Sequence, residues 1–265
     1  MLDRSTYQRA FRREADTLRS AAQRGISAPV PSCPGWTVAS IIAHLMGGVY
    51  ARRLEAIRQR PSVPQTRDPH DLGLSESVTR WLATSSHDAA TAPPDLRDYF
   101  TQVVGMVEAE LYSLDPDEPL ATWWPPMQNA AFFHRRLAHE NAIHRWDVQL
   151  AHGITEPIEP ELATDGIEEM FEVHLFDRHG EVQQAHPGRG ETYHFHRTDG
   201  PGEWLLTFDP QGPVLRREHA KGDVALRGTA SDLLLWLYHR VPADRLEVFG
   251  DQTLLTRYFT LVPPA

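Results

Sequence analysis

The chain has 265 residues, 41% hydrophobic and 23% charged, a length that suits one large domain or two small ones. Its formal net charge is -10 and its pI about 5.7. That balance excludes a broad nucleic-acid surface, which needs a concentrated basic stripe.

Tyr7, Phe11, Ala15, Leu18 and Ala22 recur at helical spacing and predict a first helix that ends near Gly25. PSCPGW, Pro31 to Trp36, is a turn-rich connection. Thr37 then caps a second helix, VASIIAHLMGGVYARRLEAI, in which Ile41, His44, Leu45 and Gly48 share one face. Pro61 to Gly73 is polar and Pro-rich and reads as a loop. A short helix follows over Ser75 to Ala83. The next opens at Asp95 and carries Leu96, Phe100, Val103, Val107 and Leu111 on one face. DPDEPLATWWPPMQN is irregular, and the last long helix of this half runs from Ala130 to His152, stopping at Gly153.

Four long amphipathic helices and a short one predict a helical bundle over residues 1–157. A connector and one more helix follow, through ITEPIEPELATDGIEEMFEVHLF. TYHFHR, EWLLTFD, PVLRREH and DVALRG are short β-rich runs divided by Gly and Pro turns, as hairpins are. Ser231 or Asp232 caps a buried helix, LLLWLYHR; LEVFGD reads as a further strand and QTLLTRYF as a final helix. The expected fold class is therefore α+β in two domains, a four-helix bundle followed by a smaller α+β domain over 158–265.

The chemistry concentrates in HRRLAHENAIHRWD, His134 to Asp147. The zincin pattern HExxH puts two histidines on one helix face, but here Ile143 stands where the second histidine should be. At about 100° per residue, His139 and His144 diverge by about 140°, whereas Glu140 and His144 are only about 40° apart. Glu140 and His144 can thus share one divalent ion, while His139 and His134 face elsewhere. A catalytic zinc has three protein ligands and an open position. His44, on the apolar face of the second helix one turn after Ser40, is the candidate third ligand. Gly47 and Gly48 beside it imply close packing or room for a ligand. A His2Glu set suits zinc; nickel, iron and manganese remain open. The competing reading makes His44 a hydrogen-bonded core residue and Glu140–His144 an ordinary polar pair.

Arg136 and Asp147 are the candidate catalytic residues. Asp147, three residues after His144, either orients that imidazole or is a solvated carboxylate on the helix surface. Arg136, one turn before Glu140, either holds a substrate carboxylate or neutralises Glu140. Cys33 lies just before a helix N-terminus, where a thiolate is favoured, but no base is identifiable near it. It is the only cysteine, so no intrachain disulfide can form. Lys221, the only lysine, is the one candidate for Schiff-base chemistry and falls in a loop. Trp36, Trp123 and Trp124 read as packing anchors or pocket walls. No apolar signal core opens the chain and no apolar run is long enough to span a bilayer, so a cytoplasmic location is expected.

Two stretches, VPSCPGWTVASIIAHLMGG and RRLAHENAIHRWDVQLAHG, resemble the mycothiol-dependent maleylpyruvate isomerase family of the DinB/YfiT-like metalloprotein superfamily. VALRGTASDLLLWLYHR and LEVFGDQTLL are similar to the family's smaller α+β domain. The resemblance implies a DinB-like four-helix bundle holding a divalent metal on His44, Glu140 and His144. It further implies mycothiol as thiol cosubstrate, its sulfur approaching the open metal position. Addition to an activated double bond, rotation and elimination then give cis–trans isomerisation; a thiol S-transferase acting on a small electrophile is the variant in which the sulfur stays attached. Alternatives are a non-catalytic metal- or small-ligand-binding protein and a hydrolase using metal-bound water. Monomer and dimer are both compatible with the sequence.

Overall fold

Helix α1 (Arg4–Ala22) starts where the Asp3 carboxylate accepts from the Thr6 backbone N–H. Its apolar face, Tyr7, Phe11, Ala15, Leu18 and Ala22, is buried, and it packs along the helix Ala130–Ala151 described below. Gly25, at φ 145°, takes the chain out of the helix through a conformation that side-chain-bearing residues rarely adopt. The computed structural model describes residues 1–60, 72–175, 182 and 185–263. Of the loop expected over 61–73, positions 61–71 lie outside the described residues, as does position 176 at the end of the helical stretch expected after Glu156. Contacts divide the chain into two units, Met1–Glu156 and Pro157–Ala265. Among the described residues, no helix is long and apolar enough to cross a membrane.

The single helix expected from Val38 is three segments: α2 (Val38–Ala43), a π-helical stretch (His44–Ala51) and α3 (Arg52–Arg58). Its start is a reciprocal cap. The Thr37 backbone N–H donates to Ser40 Oγ at 3.1 Å, and the Ser40 N–H donates to Thr37 Oγ1 at 3.4 Å. Thr37→Ala is expected to cost about 1 kcal/mol of stability, read as a shifted urea midpoint at constant slope. The π stretch contains Gly47 and Gly48, which hold an α-helix weakly, and single π turns of this kind recur at functional sites.

Helix α4 (Glu76–Leu82) is capped by Ser75. In α5 (Leu96–Leu111) the buried face is Leu96, Phe100, Val103, Val107 and Leu111; Asp95 occupies its N-cap position without a side-chain cap bond. Helix α6 (Ala130–Ala151) is buried on nearly all sides. Its polar side chains must therefore find partners inside the protein. Asn141 donates to the Phe11 carbonyl at 2.9 Å and accepts from the Tyr50 hydroxyl. Arg145 donates to Glu14 at 2.7 Å, to Gln149 at 2.8 Å and to the Glu156 carbonyl at 2.6 Å.

The second unit opens with α7 (Pro160–Glu169), continued by a π-helical stretch (Met170–His174). Strands β1 (Glu191–Arg197), β2 (Glu203–Asp209), β3 (Gly212–Arg216), β4 (Val224–Gly228) and β5 (Glu247–Gly250) form one sheet in the order β3-β2-β1-β4-β5. The β1–β2 and β2–β3 pairs are antiparallel hairpins. The fourth strand departs from the hairpin expectation: β4 pairs parallel with β1, because the chain from edge strand β3 crosses to the far side of β1. Alternation along the strands buries Tyr193, Phe195, Trp204, Leu206 and Phe208. On that face Phe195 meets Trp236 of α8 (Ala230–Leu237) and Tyr258 of α9 (Thr253–Leu261). The cap of α8 is Thr229, whose Oγ1 accepts from the Asp232 N–H, and not Ser231 or Asp232. Ser231 instead accepts from the Ile158 N–H at 2.9 Å.

Candidate metal centre

Helical geometry places Glu140 and His144 one turn apart on α6, and His144 Nε2 lies 3.4 Å from Glu140 Oε2. The first residue of the π stretch, His44, brings its Nε2 to 3.9 Å from the same oxygen. The two imidazole rings meet edge to face with centroids 4.9 Å apart. One donor atom from each of the three residues lies within 4.8 Å of the others. Donors about 2.0–2.1 Å from one tetrahedral zinc stand about 3.3–3.4 Å apart. The His144–Glu140 separation has that value and His44 stands about half an ångström farther from Glu140; with all three donors within 4.8 Å of one another, the set suits a single ion.

The surroundings fix these side chains. Asp147 is fully buried, which removes it from the helix surface. It accepts from His144 Nδ1 at 2.9 Å, from Ser32 Oγ at 2.6 Å and from the Cys33 thiol at 3.7 Å. Since a carboxylate only accepts, His144 carries a proton on Nδ1, and its Nε2 faces Glu140. Arg136 is buried as well and pairs with Glu140 Oε1 through Nη2 at 3.2 Å. Burial opposes the charge of Glu140, but Arg136, His144 and His44 hold its carboxyl well below the usual carboxylate range. For His144, burial alone would lower the pKa; Asp147 and then Glu140 raise it to about 8. Two carboxylates flank that imidazole, and the buried Arg136 guanidinium balances one of them.

His139 and His134 stand apart from the three-residue cluster. His139 is buried edge-on to Tyr7, while His134 faces the Leu111 carbonyl at 3.0 Å and stacks on Tyr112. Cys33 spends its thiol proton on Asp147. Lys221 is exposed between β3 and β4. Trp123 packs edge-on to Phe132, whereas Trp36 sets its ring 5.5 Å from that of His44.

A cleft of about 770 Å³ opens on His44, walled by Trp36, Ser40, Gly47, Gly48, Arg52 and His87. Gly48 faces the imidazole: a Cβ there would sit in ordinary contact, 3.4 Å from His44 Nδ1. Ser32, Arg52 and His87 carry no sequence signal for a place at this site. Ser32 is 115 residues from Asp147, and only folding joins them.

The fold and the cluster define a protein of two units, a helical one carrying a His2Glu donor set and one built on a five-stranded sheet. The chain belongs to the mycothiol maleylpyruvate isomerase family: the family's N-terminal domain matches residues 7–149, and its C-terminal domain, described as the MDMPI C-terminal domain, matches residues 161–257. Among solved structures, the crystal structure of the mycothiol-dependent maleylpyruvate isomerase is similar, with 14% identity over 93% of each chain and a TM-score of 0.54. A histidine-to-alanine mutant of the mycothiol-dependent maleylpyruvate isomerase gives 13% identity, the same 93% coverage of both chains and a TM-score of 0.54. At these identities the likeness is one of fold. The curated proteins yield no match.

Proposed function

We propose that the protein is a metal-dependent enzyme that uses mycothiol to isomerise maleylpyruvate or a related activated alkene. The observation that carries this reading is the convergence of His44, Glu140 and His144 beside the cleft that His44 lines. A divalent ion held there, zinc before others, would supply Lewis-acid polarisation and lower the pKa of a thiol presented to it. The remaining work falls to the chain itself. Asp147 orients His144, and Arg136 holds Glu140 in place as a positioning residue. Arg52, exposed on the cleft wall, offers a guanidinium to a substrate carboxylate, and the half-exposed face of Trp36 offers an apolar wall to the bound thiol. The sulfur adds to the cis double bond, the new single bond rotates, and loss of the same thiolate restores a trans double bond and the free thiol.

A reducing, cytoplasmic setting accords with this thiol chemistry and with the single cysteine. The test is conversion of maleylpyruvate by zinc-loaded protein with and without mycothiol, with the product identified. Thiol-dependent formation of the trans isomer is expected. A thioether product would make the protein an S-transferase, thiol-independent cleavage a hydrolase, and bound metal without turnover a binding module. Asp147→Asn should weaken zinc by about 10- to 100-fold, measured by competitive titration, with the fold retained by circular dichroism.

A further inference from the structure

The face of the sheet opposite the aromatic core carries a second convergence of donors. Strand alternation that buries Tyr193 and Phe195 turns His194 and His196 to the other side, and the β1–β2 register sets Glu203 directly across from His196. His219 reaches the same carboxylate from the segment between β3 and β4. His194 Nε2 lies 2.6 Å and His196 Nδ1 2.5 Å from Glu203, and His219 Nδ1 lies 3.1 Å from it. One donor atom from each of the four residues lies within 4.8 Å of the others.

We infer that His194, His196, Glu203 and His219 form a metal site of the second unit, for a borderline cation of the zinc class. Three imidazoles converge on one carboxylate, more nitrogen donors than a single charge-balancing pair requires. His194 is held inside at 6% exposure, so its ring is fixed for a ligand role, while His219 is exposed and can close onto an ion. Three histidines and one carboxylate match the ligand types and number of a closed tetrahedral zinc site, and the same nitrogen-rich set would bind copper(II) more tightly still. Four protein ligands leave no open position. The ion therefore ties the β3–β4 crossover to β1 and β2, and its role is structural.

The test uses the full chain, stripped with a chelator and titrated with zinc while metal content and thermal unfolding are followed. It is kept separate from the N-terminal centre by working in the His44→Ala/Glu140→Gln/His144→Ala background. That variant should still bind one zinc ion per chain and melt at higher temperature when zinc is added. Adding His196→Ala and His219→Ala should remove both effects. His219→Ala alone changes only an exposed side chain, and should weaken the ion by about tenfold or more, comparable to the loss of a supporting partner elsewhere. In the otherwise unaltered chain, His196→Ala/His219→Ala should lower the zinc content by one ion. Absence of stoichiometric zinc in the N-terminal variant, or zinc that His196→Ala/His219→Ala leaves in place, would overturn the assignment.

Discussion

Glu140→Gln should leave the protein folded and strip it of both tightly held metal and turnover. Glu140 is the common partner in the cluster, its Oε2 facing His144 at 3.4 Å and His44 at 3.9 Å. The amide keeps the volume and still offers Arg136 an acceptor, so the buried guanidinium is not abandoned. What disappears is the negative charge that would neutralise a divalent ion held between the two imidazoles. Lewis-acid assistance is worth several kcal/mol, and each 1.4 kcal/mol or so is tenfold in rate, so thiol-dependent isomerisation should fall by about a thousandfold or more. Glu140→Asp separates charge from reach: it retains the carboxylate but withdraws it by one methylene from both histidines, and it too should lose most of the metal. Metal content, far-UV circular dichroism and turnover are measured on the same preparations. Full turnover in a folded, metal-free Glu140→Gln protein would remove the centre from the mechanism.

Much of this arrangement is legible in the residues because helical periodicity is rigid. An i,i+4 pair on a long helix has little choice but to share a face, and a histidine one residue out of register turns away, as His139 does toward Tyr7. The bundle helices and the aromatic alternation of β1 and β2 are legible for the same reason. What periodicity does not encode is pairing between distant segments. Ser32 and Cys33 meet Asp147 only through the tertiary fold, and β4 beside β1 in parallel is a crossover that short Gly-bounded runs do not announce. The π-helical stretch at His44 is also hidden, since it has the composition of the helix around it and only Gly47-Gly48 as a mark. TYHFHR reads as a strand before it reads as ligands. The His-x-His spacing on one face was the available signal, but it acquires chemical meaning only once β2 brings Glu203 opposite.

Arg145→Ala should cost about 3–5 kcal/mol, a large loss for a single change in the helical unit. Arg145 and Glu14 each keep only 4% of their side-chain surface exposed, and their 2.7 Å contact joins α6 to α1 at the centre of the unit. Removing the guanidinium leaves the Glu14 carboxylate with Arg13, which is half exposed, and leaves Gln149 and the Glu156 carbonyl without that donor. The penalty is mainly that of stranded polar groups, not of a lost attraction, and this gives the prediction a second arm. Glu14→Leu/Arg145→Met replaces the pair by apolar groups of similar volume and should recover most of the loss, because the desolvation cost vanishes with the charges. Glu14→Leu and Arg145→Met made singly, and the double that combines them, should therefore be non-additive by about 0.5–3 kcal/mol. Urea unfolding of metal-free protein measures all of them; with zinc present, binding to the folded state would mask part of the difference. Since α6 also carries Glu140 and His144, Arg145→Ala should weaken zinc through the loosened helix while Glu14→Leu/Arg145→Met leaves it near the wild-type value. A loss below about 1 kcal/mol for Arg145→Ala would mean that water reaches Glu14 readily and that the pair is not what holds the two helices together.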